Sequence, residues 1–370
     1  MSGARVVSLD AFRGLAIAGM LLVNDPGSWS YVYRPLDHAE WNGWTPTDLI
    51  FPFFVLVVGA SLALSFARRL ALGASRADLF HKVLARGAII FLLGLLLSGF
   101  PRYDLSTIRI MGVLARIGVV YLATGLIFLT TGEHAQRWII LGLLLGYWAV
   151  MTLVPVPGFG AGVLERQGNL AQYVDAVVLG AHRWKPDWDP EGIMSTFPAI
   201  ATCLLGVQWG RWLLADRTPT EKARGMFVWS ALAMAVGEIW SVWFPINKNL
   251  WSSSYVLFTA GYGLLVFAVL YYFIDIKGGG WARWAWPLLV YGSNSILVFV
   301  LSGLFARILL IWKVPAAGAT TMSLYTWIYT HAFQPWAGNY NGSLAFAISY
   351  VLLFLGGMAI LYRKKWFIRI

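Results

Sequence analysis

Leu49-Ile50-Phe51-Pro52-Phe53-Phe54-Val55-Leu56-Val57-Val58-Gly59-Ala60-Ser61-Leu62-Ala63-Leu64-Ser65-Phe66 is a run of eighteen residues without a charge, and its reading decides the fold. Wound as a helix it rises about 1.5 Å per residue, roughly 27 Å in all, close to the ~30 Å hydrocarbon core of a bilayer. The run is not alone. Outward from it stand Leu15–Val23 before, then Val83–Phe100, Gly112–Leu129, Trp138–Val154, Met194–Leu214, Phe227–Phe244, Val256–Ile274, Pro287–Trp312 and Leu344–Tyr362. A membrane β-barrel would instead show ~10-residue segments of alternating polarity. Of the 370 residues 59% are hydrophobic and 12% charged, against about 25% charged in soluble domains. The expected fold is all-α, a polytopic transmembrane bundle of about ten spans, with residues 1–370 as one domain.

The first span follows a single basic residue, Arg5, and ends in Asn24-Asp25-Pro26-Gly27. No small-residue cleavage pattern follows, so it reads as an uncleaved span and not a signal peptide. Asp10 and Arg13, three apart, can pair on its helix. Thr320–Phe333 is aromatic and too short to cross, which suits an interfacial or re-entrant segment.

Ten spans place both termini on one side. Of the 28 Lys and Arg residues, Arg13, Arg116 and Arg307 fall inside spans. With both termini cytoplasmic, seventeen of the rest, among them Arg5 and Arg369, lie inside. Only Arg34, Arg102, Arg109, Arg166, Arg183, Lys185, Lys248 and Lys313 lie outside, a positive-inside bias. That bias also accounts for the net charge of +11 without nucleic acid. It puts the loops Asn24–Asp48, Pro155–Ile193 and Asn247-Lys248-Asn249 on the non-cytoplasmic side, gathering the polar chemistry on one face.

Several chemistries lack their residues. There is no phosphate-binding loop of the Walker type, no Gly-x-Ser-x-Gly elbow and no His-x-x-x-His pair, and no metal site is expected. Cys203, the single cysteine, excludes an intrachain disulfide and reads as a packing residue. The polar loop His38-Ala39-Glu40-Trp41-Asn42-Gly43-Trp44 is the candidate site. His38 suits general-base work at neutral pH, or it is an interfacial belt histidine. Trp29, Tyr31, Trp41 and Trp44 either anchor at the headgroups or stack on a sugar. Asn24 either caps its helix or holds a carbonyl or oxyanion. Asp48 is explained as the cap or first-turn acid of the second span, with Thr45 as the other cap. Arg13, Arg116 and Arg307 suit an anionic ligand such as a phosphate-bearing cofactor, or structural pairing. Asn294, between Ser293 and Ser295, is a polar interruption that helix–helix hydrogen bonding would also explain.

Ser8-Leu9-Asp10-Ala11-Phe12-Arg13-Gly14, Val23-Asn24, His38-Ala39-Glu40-Trp41-Asn42-Gly43 and Thr47-Asp48-Leu49-Ile50-Phe51-Pro52 follow one another in an order that resembles the heparan-α-glucosaminide N-acetyltransferase family. The resemblance continues through Arg109-Ile110-Met111-Gly112-Val113-Leu114-Ala115-Arg116-Ile117, Asp189-Pro190-Glu191-Gly192-Ile193, Asn247-Lys248-Asn249-Leu250-Trp251-Ser252 and Gly292-Ser293-Asn294-Ser295-Ile296. It implies a transmembrane acyltransferase carrying acetyl from cytoplasmic acetyl-CoA to the amine of a glucosamine-type sugar or glycan across the membrane. It places the family's active-site histidine on His38 and its asparagine on Asn24, which would hold His38 or the thioester oxygen. With Arg116, Asn294, Ser293 and Arg13 the expected acetyl-CoA contacts, the acceptor contacts expected are Asp25, Glu40, Trp41, Asn247, Lys248, Asn249 and Glu191. The soluble luminal domain of the lysosomal enzyme has no counterpart here, which suggests a bacterial member in the inner membrane, surrounded by lipid. A homodimer is compatible with this reading, and the oligomeric state is open.

His38 would take the proton of the attacking amine or be transiently acetylated itself. An amino-sugar carrier without acyl transfer is the competing reading. The sequence offers it neither an inverted repeat nor paired broken helices.

Overall fold

The computed structural model describes residues 6–316 and 321–368; Arg5, Thr320 and Arg369 lie outside the described residues. The chain is a helical bundle. Its helices are α1 (Val7–Asn24), α2 (Pro46–Ala71), α3 (Arg76–Gly99), α4 (Val113–Thr130), α5 (Glu133–Leu153), α6 (Leu170–Leu179) and α7 (Ile193–Leu214). They continue as α8 (Pro219–Trp240), α9 (Ser253–Tyr271), α10 (Trp281–Trp284), α11 (Trp286–Ser293), α12 (Ser295–Ile311), α13 (Leu324–Ile328) and α14 (Gln334–Arg363). A short antiparallel ladder, β1 (Lys313–Pro315) with β2 (Thr321–Ser323), follows α12.

Among the described residues eight helices are long and apolar enough to cross a membrane, or nine if the bent pair α11–α12 is one span. Helix α8, expected as a span, is 22 residues long but not among them, because Glu221, Lys222, Arg224 and Glu238 dilute its apolar run. Helix α2 is the central one: 72% of its apolar window is buried, against 28% for α3 and α5, whose Leu92, Trp138, Leu141 and Leu145 face outward.

Glycines set the tightest crossings. A Cβ on Gly59 of α2 would stand 1.9 Å from the Cys203 carbonyl oxygen of α7, and one on Gly206 would stand 2.0 Å from that of Leu56. Gly14 of α1 and Gly292 of α11 are matched in the same way, at 1.8 Å from Leu288 O and 1.9 Å from Asp10 O. Only a residue without a side chain lets two backbones pass so closely, as small residues do in membrane helix pairs. Cys203 is fully buried at the α2–α7 crossing.

The ninth expected span, Pro287–Trp312, is corrected. It breaks at Asn294 (φ −132°, ψ 41°), and the two pieces meet at 83°. The amide of Asn294 explains why the break is stable. Its Nδ2 donates to Trp366 O at 3.0 Å and its Oδ1 accepts from Ile368 N at 2.8 Å, so the segment after α14 satisfies it. The aromatic segment expected before the last span forms β2, α13 and one wide turn at Tyr329–Phe333, which runs into α14.

Candidate active site

The site is built where loops from four parts of the chain converge at one end of the bundle. Gly43 N donates to Ile246 O and Asn247 Nδ2 to Asn42 Oδ1, joining the α1–α2 and α8–α9 loops. Ile110 N donates to His182 O, bringing in the α3–α4 and α6–α7 loops. The α2 N-terminus sits at their centre. Pro46 occupies its first turn, and Thr45 with Asp48 forms a capping box, so the first-turn carboxylate sits where the helix dipole favours negative charge.

Asp48 does more than cap. Its Oδ2 accepts from Ala39 N and Thr45 N, both at 3.0 Å, while Oδ1 lies 2.7 Å from His38 Nδ1. A carboxylate only accepts, so Nδ1 carries the hydrogen and the Nε2 lone pair is left for chemistry. Asp48 is 1% exposed and the His38 side chain 38%, a fixed anion under a reachable imidazole. Lys248 Nζ completes the group. It is 3.0 Å from Nδ1, 3.1 Å from Nε2 and 3.7 Å from Asp48 Oδ1.

A second charged layer lies behind. Arg109 grips Asp189 through Nε, at 2.9 Å, and Nη2, and also reaches Glu191; its guanidinium lies 5.0 Å from the Trp184 ring centroid. Burial alone would raise the Glu191 carboxyl, but the charges of Arg109, Arg116 and Lys248 together bring it below the usual range. Lys248 goes down, because burial outweighs the attraction of Asp48 and Glu191. Burial raises Asp175, which accepts from Ile193 N, to about 6. Arg116 is wholly buried under the Trp251 ring. Its Nη2 donates to Ser195 Oγ and to Gly192 O at 3.2 Å, while Nε and Nη1 make no hydrogen bond to protein.

Inward from this layer is a small apolar cavity of ≈ 10 Å³, about one water in size, lined by Ile17, Met20, Phe54, Val113, Leu114, Ile117, Ile296 and Phe299. Phe54 is six residues along α2 from Asp48, roughly 9 Å deeper.

The expected site residues divide. His38, Lys248, Glu191 and Arg116 belong to one connected cluster, through the contacts above and the mutual influence of their charges. Asn24, expected to hold His38, ends α1 exposed and makes no hydrogen bond to it; Asp48 holds it instead. Asn247 is buried and committed to its own loop, accepting from Leu250 N at 2.9 Å besides its bond to Asn42. Glu40 is exposed and Asn249 half-buried. Trp41 donates from Nε1 to Leu164 O at 2.9 Å, and Trp44 packs on Phe258 and Tyr262.

Arg13, Ser293 and Asn294 gather elsewhere, at the α11–α12 break. Arg13 bonds Asp10, Ser61 Oγ at 2.6 Å and Gly292 O; Ser293 Oγ donates to Val290 O. Asp25 is buried near Arg307, and burial pushes its carboxyl up to about 7. Asp48 and Arg109 are the residues that sequence reasoning missed as site members. The ten-residue step from His38 to Asp48 was visible, but capping had already explained the aspartate.

Residues 5–239 match the family model described as heparan-α-glucosaminide N-acetyltransferase, catalytic, which takes in His38, Asp48, Arg109, Arg116 and Glu191. A human protein named heparan-α-glucosaminide N-acetyltransferase is 31% identical over 354 residues, covering 80% of this chain and 52% of its own length. A mouse protein of the same name is 29% identical, with 81% and 53% covered. The chain thus spans about half the length of the curated relatives it matches. With the model match covering most of the chain, this protein belongs to the heparan-α-glucosaminide N-acetyltransferase family.

Proposed function

We propose that this chain moves an acetyl group from cytoplasmic acetyl-CoA to the amine of a glucosamine-type sugar on the opposite side of the membrane. Family membership supports a transmembrane acetyltransferase in general. The observation that carries the finer reading is the 2.7 Å contact of His38 Nδ1 with buried Asp48, which leaves Nε2 basic beside the bundle end. In that role Nε2 accepts the proton of the attacking amine, a contribution of about 10²–10⁴-fold. As a transient carrier it would take the acetyl group itself; rapid-quench detection of acetyl-histidine separates the two routes.

One feature fits the donor: the unused Nε and Nη1 of Arg116 suit the carbonyl oxygen of a CoA thioester. Arg13, Ser293 and Asn294, brought together away from His38, would lie toward the nucleotide end. Asp25, Glu40, Trp41, Asn247, Lys248, Asn249 and Glu191 are carried forward as the acceptor side. In this reading α8 (22 residues, ~33 Å) and the bent pair are taken as the ninth and tenth spans, with both termini in the cytoplasm of a bacterial inner-membrane protein. The same reading takes residues 1–370 as one transmembrane acyltransferase domain.

Purified protein in liposomes should transfer label from acetyl-CoA to glucosamine, and His38→Ala should abolish it. Uptake of glucosamine without acyl-CoA, and no transfer, would instead support an amino-sugar carrier.

A further inference from the structure

We propose that Lys248 is the general acid of the transfer, protonating the departing CoA thiolate and recovering its proton from His38. This rests on the acyl-transfer reading above. Its basis is placement: Nζ lies against the His38 ring, 3.0 Å from Nδ1 and 3.1 Å from Nε2, and 3.7 Å from Asp48 Oδ1, with 15% of the side chain exposed. A lysine needed only to balance Asp48 would sit on the carboxylate. This one sits closer to the imidazole, within a short reorientation of the Nε2 lone pair. The charged groups that face it come from each neighbouring element: Asp48 of α2, His38 of the α1–α2 loop, Glu191 of the α6–α7 loop and Arg116 of α4.

The step balances. The amine nitrogen bonds to the thioester carbon, and His38 Nε2 takes one proton from that nitrogen. As the C–S bond breaks, its electron pair leaves with sulfur, and the Lys248 ammonium gives the thiolate a proton. The imidazolium then returns its proton to the neutral Nζ along the 3.1 Å contact, and both side chains end as they began. No further reactant is needed. The 5–239 segment that matches the family model stops short of this residue, which reaches the site from the α8–α9 loop.

The test compares wild type, Lys248→Met and Lys248→Cys alkylated with 2-bromoethylamine, a thioether copy of lysine; Cys203, the other thiol, is buried. The assay is transfer from acetyl-CoA to glucosamine across pH 5.5–9.5. For Lys248→Met the expected result is a fall in kcat of about 10²-fold. KM for both substrates should stay within about threefold, and the alkaline limb of the kcat profile should disappear. The alkylated variant should recover most of kcat and the limb, which also reads the role if the methionine variant misfolds. A raised KM with kcat intact, or an alkaline limb that survives in Lys248→Met, overturns the proposal while leaving acyl transfer standing. No transfer by wild type overturns the acyl-transfer reading and the proposal with it.

Discussion

Asp48→Asn is the sharpest perturbation available, because the two oxygens of this carboxylate have different duties. Oδ1 faces His38 Nδ1 at 2.7 Å, and Oδ2 accepts two backbone N–H groups, Ala39 and Thr45, at 3.0 Å each. An asparagine has only one oxygen for both. With that oxygen towards His38, the NH₂ group faces two N–H donors, and each donor left unpaired costs about 1–3 kcal/mol. With the oxygen towards the backbone, the NH₂ faces Nδ1, which must then accept, and the imidazole hydrogen moves to Nε2. The loop survives in that orientation, but the base is lost. Because the flip avoids roughly 2–6 kcal/mol, it is the one expected. The loss should then resemble the wrong-tautomer effect in His-Asp pairs elsewhere, on the order of 10³–10⁴-fold in kcat. The paired assay is acetyl transfer and thermal unfolding of the same preparation. A variant that keeps transfer within about threefold of wild type would refute the tautomer argument, whatever its stability.

Other expectations follow from the same geometry. Arg109→Ala strands Asp189 and Glu191 in a buried place, and should cost about 3–5 kcal/mol, read as a lower midpoint of thermal unfolding; an unchanged midpoint would contradict it. Gly59→Ala drives a Cβ to 1.9 Å from the Cys203 carbonyl and should abolish a monodisperse preparation, whereas Gly146→Ala, with open space around it, should behave as wild type. Equal behaviour of the two on size exclusion would count against the α2–α7 crossing. Asp25, raised from 3.8 to about 7 by burial, contributes most below pH 4, and that contribution is lost as pH rises to about 7. Asp25→Asn should therefore raise the unfolding midpoint at pH 8 more than at pH 5, and the reverse order would exclude the buried, raised carboxyl.

Much of this was legible in the residues. Apolar runs located the helices, since a bilayer demands a fixed length of uncharged chain, although α1, α3, α8 and α14 begin seven to ten positions before the expected spans. Basic residues told which loops share a face, and the contacts among the 38–48, 109, 189–191 and 248 regions agree with that grouping. The break at Asn294 was not legible. It depends on a partner 72 positions away, the backbone of Trp366, which no local pattern records. Asp48 was misjudged for a related reason: a capping box is complete within four residues and left no reason to look ten residues back. Asn247 also has a structural duty that its neighbours in sequence do not announce. A polar tripeptide reads as ligand-binding, yet its first amide shapes the turn that aims the lysine after it.

Lys248 and His38 are 210 positions apart in the chain. At ribosomal speeds of about 5–20 residues per second, His38 and Asp48 wait roughly 10–40 s for the loop that covers them. During that interval the carboxylate has its helix cap but no cation beside it, and the helix that follows Lys248, α9, does not yet exist. The cluster of His38, Asp48 and Lys248 is therefore complete only once the α8–α9 loop has been made and packs at the N-terminus of α2. Translational pauses placed before residue 248 would prolong an open and vulnerable intermediate, whereas those after it would not.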